Sequence, residues 1–118
     1  MTAPYESDGG VYVSEFAADP SVAEMIPKFL ADVPAKRAAI ATSFAANDWP
    51  GMAKNTHQLR GSSAVYGFVY LSEMSAVLEM TLTAETIDQE RVMWLWRRID
   101  EFCGKLLAHY VGKSPKPG

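Results

Sequence analysis

Apolar residues recur at intervals of three and four along most of this 118-residue chain, and that regularity decides the fold class. Val22, Ile26, Phe29, Val33, Ile40 and Phe44 form one stripe, and Met52, Thr56, Leu59, Ser63 and Tyr66 a second. Leu71, Met74, Ser75, Leu78 and Leu82 form a third, and Val92, Leu95, Ile99, Phe102, Leu106 and Tyr110 a fourth. Such spacing puts side chains on one face of an α-helix, whereas a half-buried strand needs strict alternation. Four amphipathic helices with short connections bury their stripes most simply against one another. The sequence therefore predicts an all-α, antiparallel up-down four-helix bundle.

Local signals punctuate the helices. Asp19-Pro20 opens the first with a cap and a first-turn proline, and Asp48 with Pro50 opens the second. Gly67 suits the left-handed position that ends the second helix, and Thr86-Ile87-Asp88-Gln89 has the form of a capping box before the last. Pro27 and Pro34 fall inside the first stripe and remove backbone donors, which predicts a kinked helix or a short helix followed by a longer one. The alternation at Val11-Tyr12-Val13-Ser14-Glu15-Phe16 reads as part of an extended N-terminal arm, residues 1–18, packed through Tyr12 and Phe16. One helical domain spans residues 19–112. The tail, residues 113–118, holds two prolines and no apolar residue and is expected to be disordered.

Composition removes several function classes. Eleven Lys and Arg against fourteen Asp and Glu, a net charge of −3, leave no basic stripe for nucleic acid. No run approaches the ~18 apolar residues of a membrane span. The N-terminus lacks the cationic start and apolar middle of a signal peptide. Lone Cys103 excludes an intramolecular disulfide and fits a reducing, cytoplasmic compartment. His57 and His109 are far apart and with one cysteine give no metal-ligand spacing. His109 reads as a structural or surface residue.

His57 carries the chemistry. On a helix whose inner face centres on Met52, Leu59 and Ser63, it falls roughly 140° from that centre, toward water. Gly61 and Ala64 lie on the same outward strip, with Lys54 and Arg60 on either side. A glycine there costs about 1 kcal/mol relative to alanine, so the room it leaves has a use. Neutral imidazole is a good nucleophile near pH 7, and phosphoryl transfer asks chiefly for positioning and charge neutralisation. The cations can meet phosphoryl oxygens, and the two small residues let a partner's loop reach the ring. Ser62 and Ser63 turn toward neighbouring helices and read as packing residues.

The segment His57-Gln58-Leu59-Arg60-Gly61-Ser62-Ser63, with Gly67 and Leu71 beyond it, resembles the histidine-containing phosphotransfer (HPt) domains of multistep phosphorelays. Phe29-Leu30-Ala31-Asp32-Val33-Pro34, Asn47-Asp48-Trp49 and Leu78-Glu79 also look like that family. The resemblance covers about residues 20–110. It implies phosphorylation of His57, exchange with receiver domains of response regulators and hybrid sensor kinases, and no intrinsic kinase activity. It implies no cofactor on this chain, with magnesium on the partner receiver. By the match, Arg60 stands where the family has lysine, a planar fork in place of a point charge. Gly61 gives access and Gly67 ends the helix.

Two other readings compete. A histidine-kinase dimerisation fragment also presents histidine on a bundle, but usually follows it with an acidic residue, where this chain has Gln58. A bundle that only binds a partner, with His57 incidental, is the other. Trp94 and Trp96 read as edges of the core, with a self-association patch as the alternative. A bundle with one histidine needs no second copy, so a monomer is expected. Met25 and Leu30 lie beside the first stripe, where exposure would let them join a docking surface.

Overall fold

A computed structural model describes residues 12–111. It contains four helices and no strand among the described residues: α1 Pro20–Ala45, α2 Trp49–Val65, α3 Val69–Leu82 and α4 Gln89–Val111. Helix α2 packs against α1 and α3, and α4 packs against α3 and α1, as in an up-down bundle. The first eleven residues of the arm and the predicted disordered tail lie outside the described residues.

Helices α1, α2 and α4 start where a short acceptor side chain meets an orphan backbone donor, whereas α3 follows Phe68 with no side-chain cap. Asp19 Oδ1 accepts from the Ser21 amide at 3.0 Å, ahead of Pro20. Asp48 Oδ1 accepts from the Gly51 amide at 3.0 Å, ahead of Trp49-Pro50. At α4 the acceptor is Asp88, whose Oδ1 takes the Arg91 amide at 3.1 Å. This corrects the capping-box reading. A box led by Thr86 needs Gln89 at the third helical position, and the helix begins at Gln89 itself.

Helix α1 is one uninterrupted helix of 26 residues, so the split alternative does not hold. Pro27 and Pro34 are seven residues apart, hence on one face, and both are exposed. Each forfeits a hydrogen bond only on the side facing water, which can serve the stranded carbonyls. The buried face, Ile26, Phe29, Val33 and Ile40, continues past both prolines.

Residues 12–19 correct a second expectation, because they run as successive turns and not as an extended arm. The Ala17 amide donates to Ser14 O at 3.1 Å and the Asp19 amide to Phe16 O at 2.9 Å. The Ser14 hydroxyl curls the segment, accepting from the Phe16 amide at 3.0 Å while donating to the Tyr66 carbonyl. Tyr12 stacks on Phe102 with centroids 5.2 Å apart, the packing predicted for it. Phe16 instead remains 39% exposed.

The core fills the space between the four stripes. Phe29 stacks on Phe68 at 5.0 Å, and Phe68 meets Tyr110 edge-on at 6.2 Å, joining α1, the α2–α3 turn and α4. Polar ties set the helices against each other. Arg37 Nε donates to Asp100 Oδ1 at 2.6 Å between α1 and α4, and Asn55 Nδ2 donates to Ser43 Oγ at 2.9 Å between α2 and α1. His109 is half-buried beside Tyr12, centroids 5.5 Å apart, a structural placement.

Candidate functional site

The α2–α3 turn determines what stands across from His57. Gly67 takes φ +79°, the left-handed conformation expected of it, and reverses the chain within three residues. Its backbone is also approached closely, since a Cβ there would lie 2.6 Å from Ser14 Oγ. The Glu15 amide donates to Gly67 O at 2.9 Å, which fixes the turn from outside. Because α2 and α3 run antiparallel from this turn, residues equidistant from Phe68 face one another. His57 and Glu79 are such a pair, each eleven positions away.

His57 stands on the outer side of α2 with its side chain 65% exposed. Its Nδ1 lies 2.8 Å from Glu79 Oε2, and Arg60 Nη1 donates to the other oxygen, Oε1, also at 2.8 Å. One carboxylate therefore holds both the ring and the cation one turn later. The Arg60 guanidinium, above all, holds the Glu79 carboxyl below its ordinary value of 4.5. Partial burial opposes that shift, and His57 adds to it. With Glu79 ionised it can only accept, so Nδ1 is the donor and the lone pair of the neutral ring sits on Nε2.

The other residues singled out by the sequence fall as follows. Lys54 is exposed one turn before His57 and has no ion pair among the described residues. Gly61 and Ala64 are exposed on the same strip, and a Cβ on Gly61 would meet nothing within 4 Å. Ser62 Oγ donates to Gln58 O at 2.9 Å and Ser63 Oγ to Leu59 O at 2.6 Å. Both hydroxyls thus return to the carbonyls of their own helix and do not approach the imidazole. Met25 is 40% exposed while Leu30 is half-buried against the core, so of that pair only Met25 is open. Met80, beside Glu79, is 72% exposed.

Glu79 enters the sequence reading only through the family likeness of Leu78-Glu79, with no role attached. Its signal was the equal distance from the turn, a register argument that needs the turn's position to within a residue. Ser72 adds to the same strip by donating from Oγ to Arg60 O at 3.3 Å. Among the described residues no three His, Cys, Asp or Glu side chains stand close enough together to hold a metal ion. No helix among them is long and apolar enough to cross a membrane.

The site is an exposed imidazole with one nitrogen tied down, a cation on a shared carboxylate, and open space beside the ring. Compared with known families, residues 24–109 match the Hpt domain. No curated protein and no solved structure matches the chain significantly. The chain belongs to the Hpt domain family, phosphotransfer modules of phosphorelays that interact with receiver domains and generally carry phosphate without kinase activity of their own.

Proposed function

We propose that His57 accepts a phosphoryl group from the aspartate of a receiver domain, free or in a hybrid sensor kinase, and passes it to a response regulator in the cytoplasm. The observation that carries this reading is the Nδ1–Glu79 hydrogen bond on a ring otherwise open to water. It fixes which nitrogen has the free lone pair. Nε2 attacks phosphorus in line; the Nε2–P bond forms as the P–O bond to the aspartate breaks, and that electron pair leaves with the carboxylate. Nδ1 keeps its proton, and the positive charge gained by the ring is opposed by Glu79. Transfer onward reverses the same step on a second receiver.

The remaining residues have roles in this scheme. Arg60 uses one donor on Glu79 and has others for phosphoryl oxygens. Lys54, exposed and unpaired among the described residues, is the second cation. Gly61 and Ala64 keep the approach to Nε2 clear. Ser62, Ser63 and Gly67 support the helix and its turn. The magnesium ion of the reaction is assigned to the receiver, and no step draws a metal from this chain.

The test uses a purified receiver phosphorylated on its aspartate and the full chain, with His57→Gln beside the wild type. Acid-labile phosphate should appear on the wild type and not on the variant, and helix content should be equal. Uptake by the variant at the wild-type rate would remove His57 from the reaction. Autophosphorylation from ATP alone would favour a kinase fragment instead.

A further inference from the structure

The outward face of α4 has a surface that phosphotransfer does not use. Trp94 is 55% exposed, although tryptophan is among the side chains with most apolar area to bury. The Arg98 guanidinium carbon sits 4.5 Å from its ring centroid, and a groove of about 440 Å³ runs past Met93 and Arg97 beside it. Arg91, Trp94, Arg98 and Glu101 follow one another at spacings of three, four and three, all exposed. That is the spacing of a helix–helix seam.

The charges along the seam select what can cover it. A second copy laid parallel in register would set Arg91 on Arg91, Arg98 on Arg98 and Glu101 on Glu101, repulsive at every charged position. Laid antiparallel about a two-fold axis at residue 96, the seam sets Arg91 opposite Glu101 and Trp94 opposite Arg98. Symmetry makes each contact twice. Every seam residue then meets an ion-pair or cation–π partner.

We infer that the outer face of α4 is a homodimer interface, with two copies pairing antiparallel through Arg91–Glu101 and Trp94–Arg98. Helices α2 and α4 lie diagonally across the bundle, each packed on α1 and α3. The dimer therefore leaves both copies of His57 open to receivers, and it departs from the monomer that the sequence suggested. One helix per copy is a small interface, so association is weak and reversible.

Sedimentation of the full chain over roughly 1 μM to 1 mM, a range chosen to bracket weak interfaces, tests this. The wild type should shift from monomer to dimer as concentration rises. Arg91→Glu should weaken the dimer by about tenfold or more through two like-charge contacts, and Trp94→Ala similarly. Glu101→Arg breaks the 3.2 Å pair with Lys105 whether or not Arg91 is exchanged, so E101R is the control for the double exchange R91E/E101R. The double exchange should restore dimerisation to within about threefold of wild type. Circular dichroism keeps unfolding separate from dissociation. A wild type monomeric at the highest concentration, a dimer indifferent to R91E and W94A, or a double exchange that fails to recover would each overturn the inference.

Discussion

Replacing Gly61 by alanine should make the protein more stable and a poorer phosphotransfer partner. Gly61 is an exposed residue inside α2, and an added Cβ meets no atom within 4 Å. Nothing inside the chain opposes the methyl, so the substitution should gain most of the glycine–alanine difference in a helix, about 0.5–1 kcal/mol. For a domain of this size that is a rise of roughly 2–4 °C in Tm. The same methyl stands one turn beyond His57, where in the proposed transfer an incoming receiver brings its aspartyl phosphate to Nε2. Crowding a packed contact by one methyl costs about 1–3 kcal/mol, which would slow transfer roughly 5- to 150-fold. Urea unfolding and single-turnover transfer from a phosphorylated receiver measure the two effects separately. If G61A transfers at the wild-type rate, the glycine is not there for access. If it is no more stable, an internal constraint on Gly61 has been missed. Either result refutes the reasoning.

Further expectations follow from single contacts. Gly67→Ala should destabilise by about 1–3 kcal/mol in urea unfolding, because φ is +79° and the new Cβ would meet Ser14 Oγ at 2.6 Å. Glu79 has a lowered folded-state pKa, so its stabilising contribution is present above its ordinary value of 4.5 and is lost as pH falls through the lower folded value. Acid unfolding of Glu79→Gln should lack that component, while the two proteins' pH profiles run parallel at higher pH. Burial pushes the Cys103 thiol up to about 12. It should stay unreactive toward a thiol reagent in the native state, with labelling that tracks urea unfolding. Ser75 Oγ is buried with no hydrogen-bond partner among the described residues, so Ser75→Ala should leave urea stability unchanged or raise it by about 1 kcal/mol.

The parts of the fold readable from sequence were those set by neighbours in sequence. Asp19 and Asp48 cap their helices with amides two and three residues away, and Gly67 reverses the chain through its own dihedral angle. The parts that were not readable depend on what lies across a gap. The turns of residues 12–19 form because Ser14 reaches the Tyr66 carbonyl, 52 positions along the chain. The pairing of His57 with Glu79 depends on the register of two antiparallel helices. The tryptophans show a different failure. Trp94 and Trp96 lie about 100° to either side of Leu95, but the centre of the stripe falls on the Trp96 side, so only Trp96 borders it. Trp96 continues the series Val92, Trp96, Ile99, Cys103, all buried, and the periodicity held that answer.

Helix-breaking residues inside the helices sharpen the case for the histidine strip. A locally unfavourable residue persists where some other requirement outweighs it. Pro27 and Pro34 meet theirs by facing water, where the lost hydrogen bonds are replaced. Gly51 lies against the capping carboxylate, with a Cβ there 2.2 Å from Asp48 Oδ2, and a Cβ on Gly104 would lie 3.3 Å from Arg37 Nη2. Each of these glycines has a neighbour at the place its side chain would fill. Gly61 alone among the described helical glycines has none, since no atom approaches the place its side chain would fill. On the proposed function its reason lies outside the chain, where a receiver approaches the imidazole held by Glu79. A residue kept small for something absent from the folded monomer is what a site of transient protein contact requires. That argument rests on the geometry of α2 and would stand without any family resemblance.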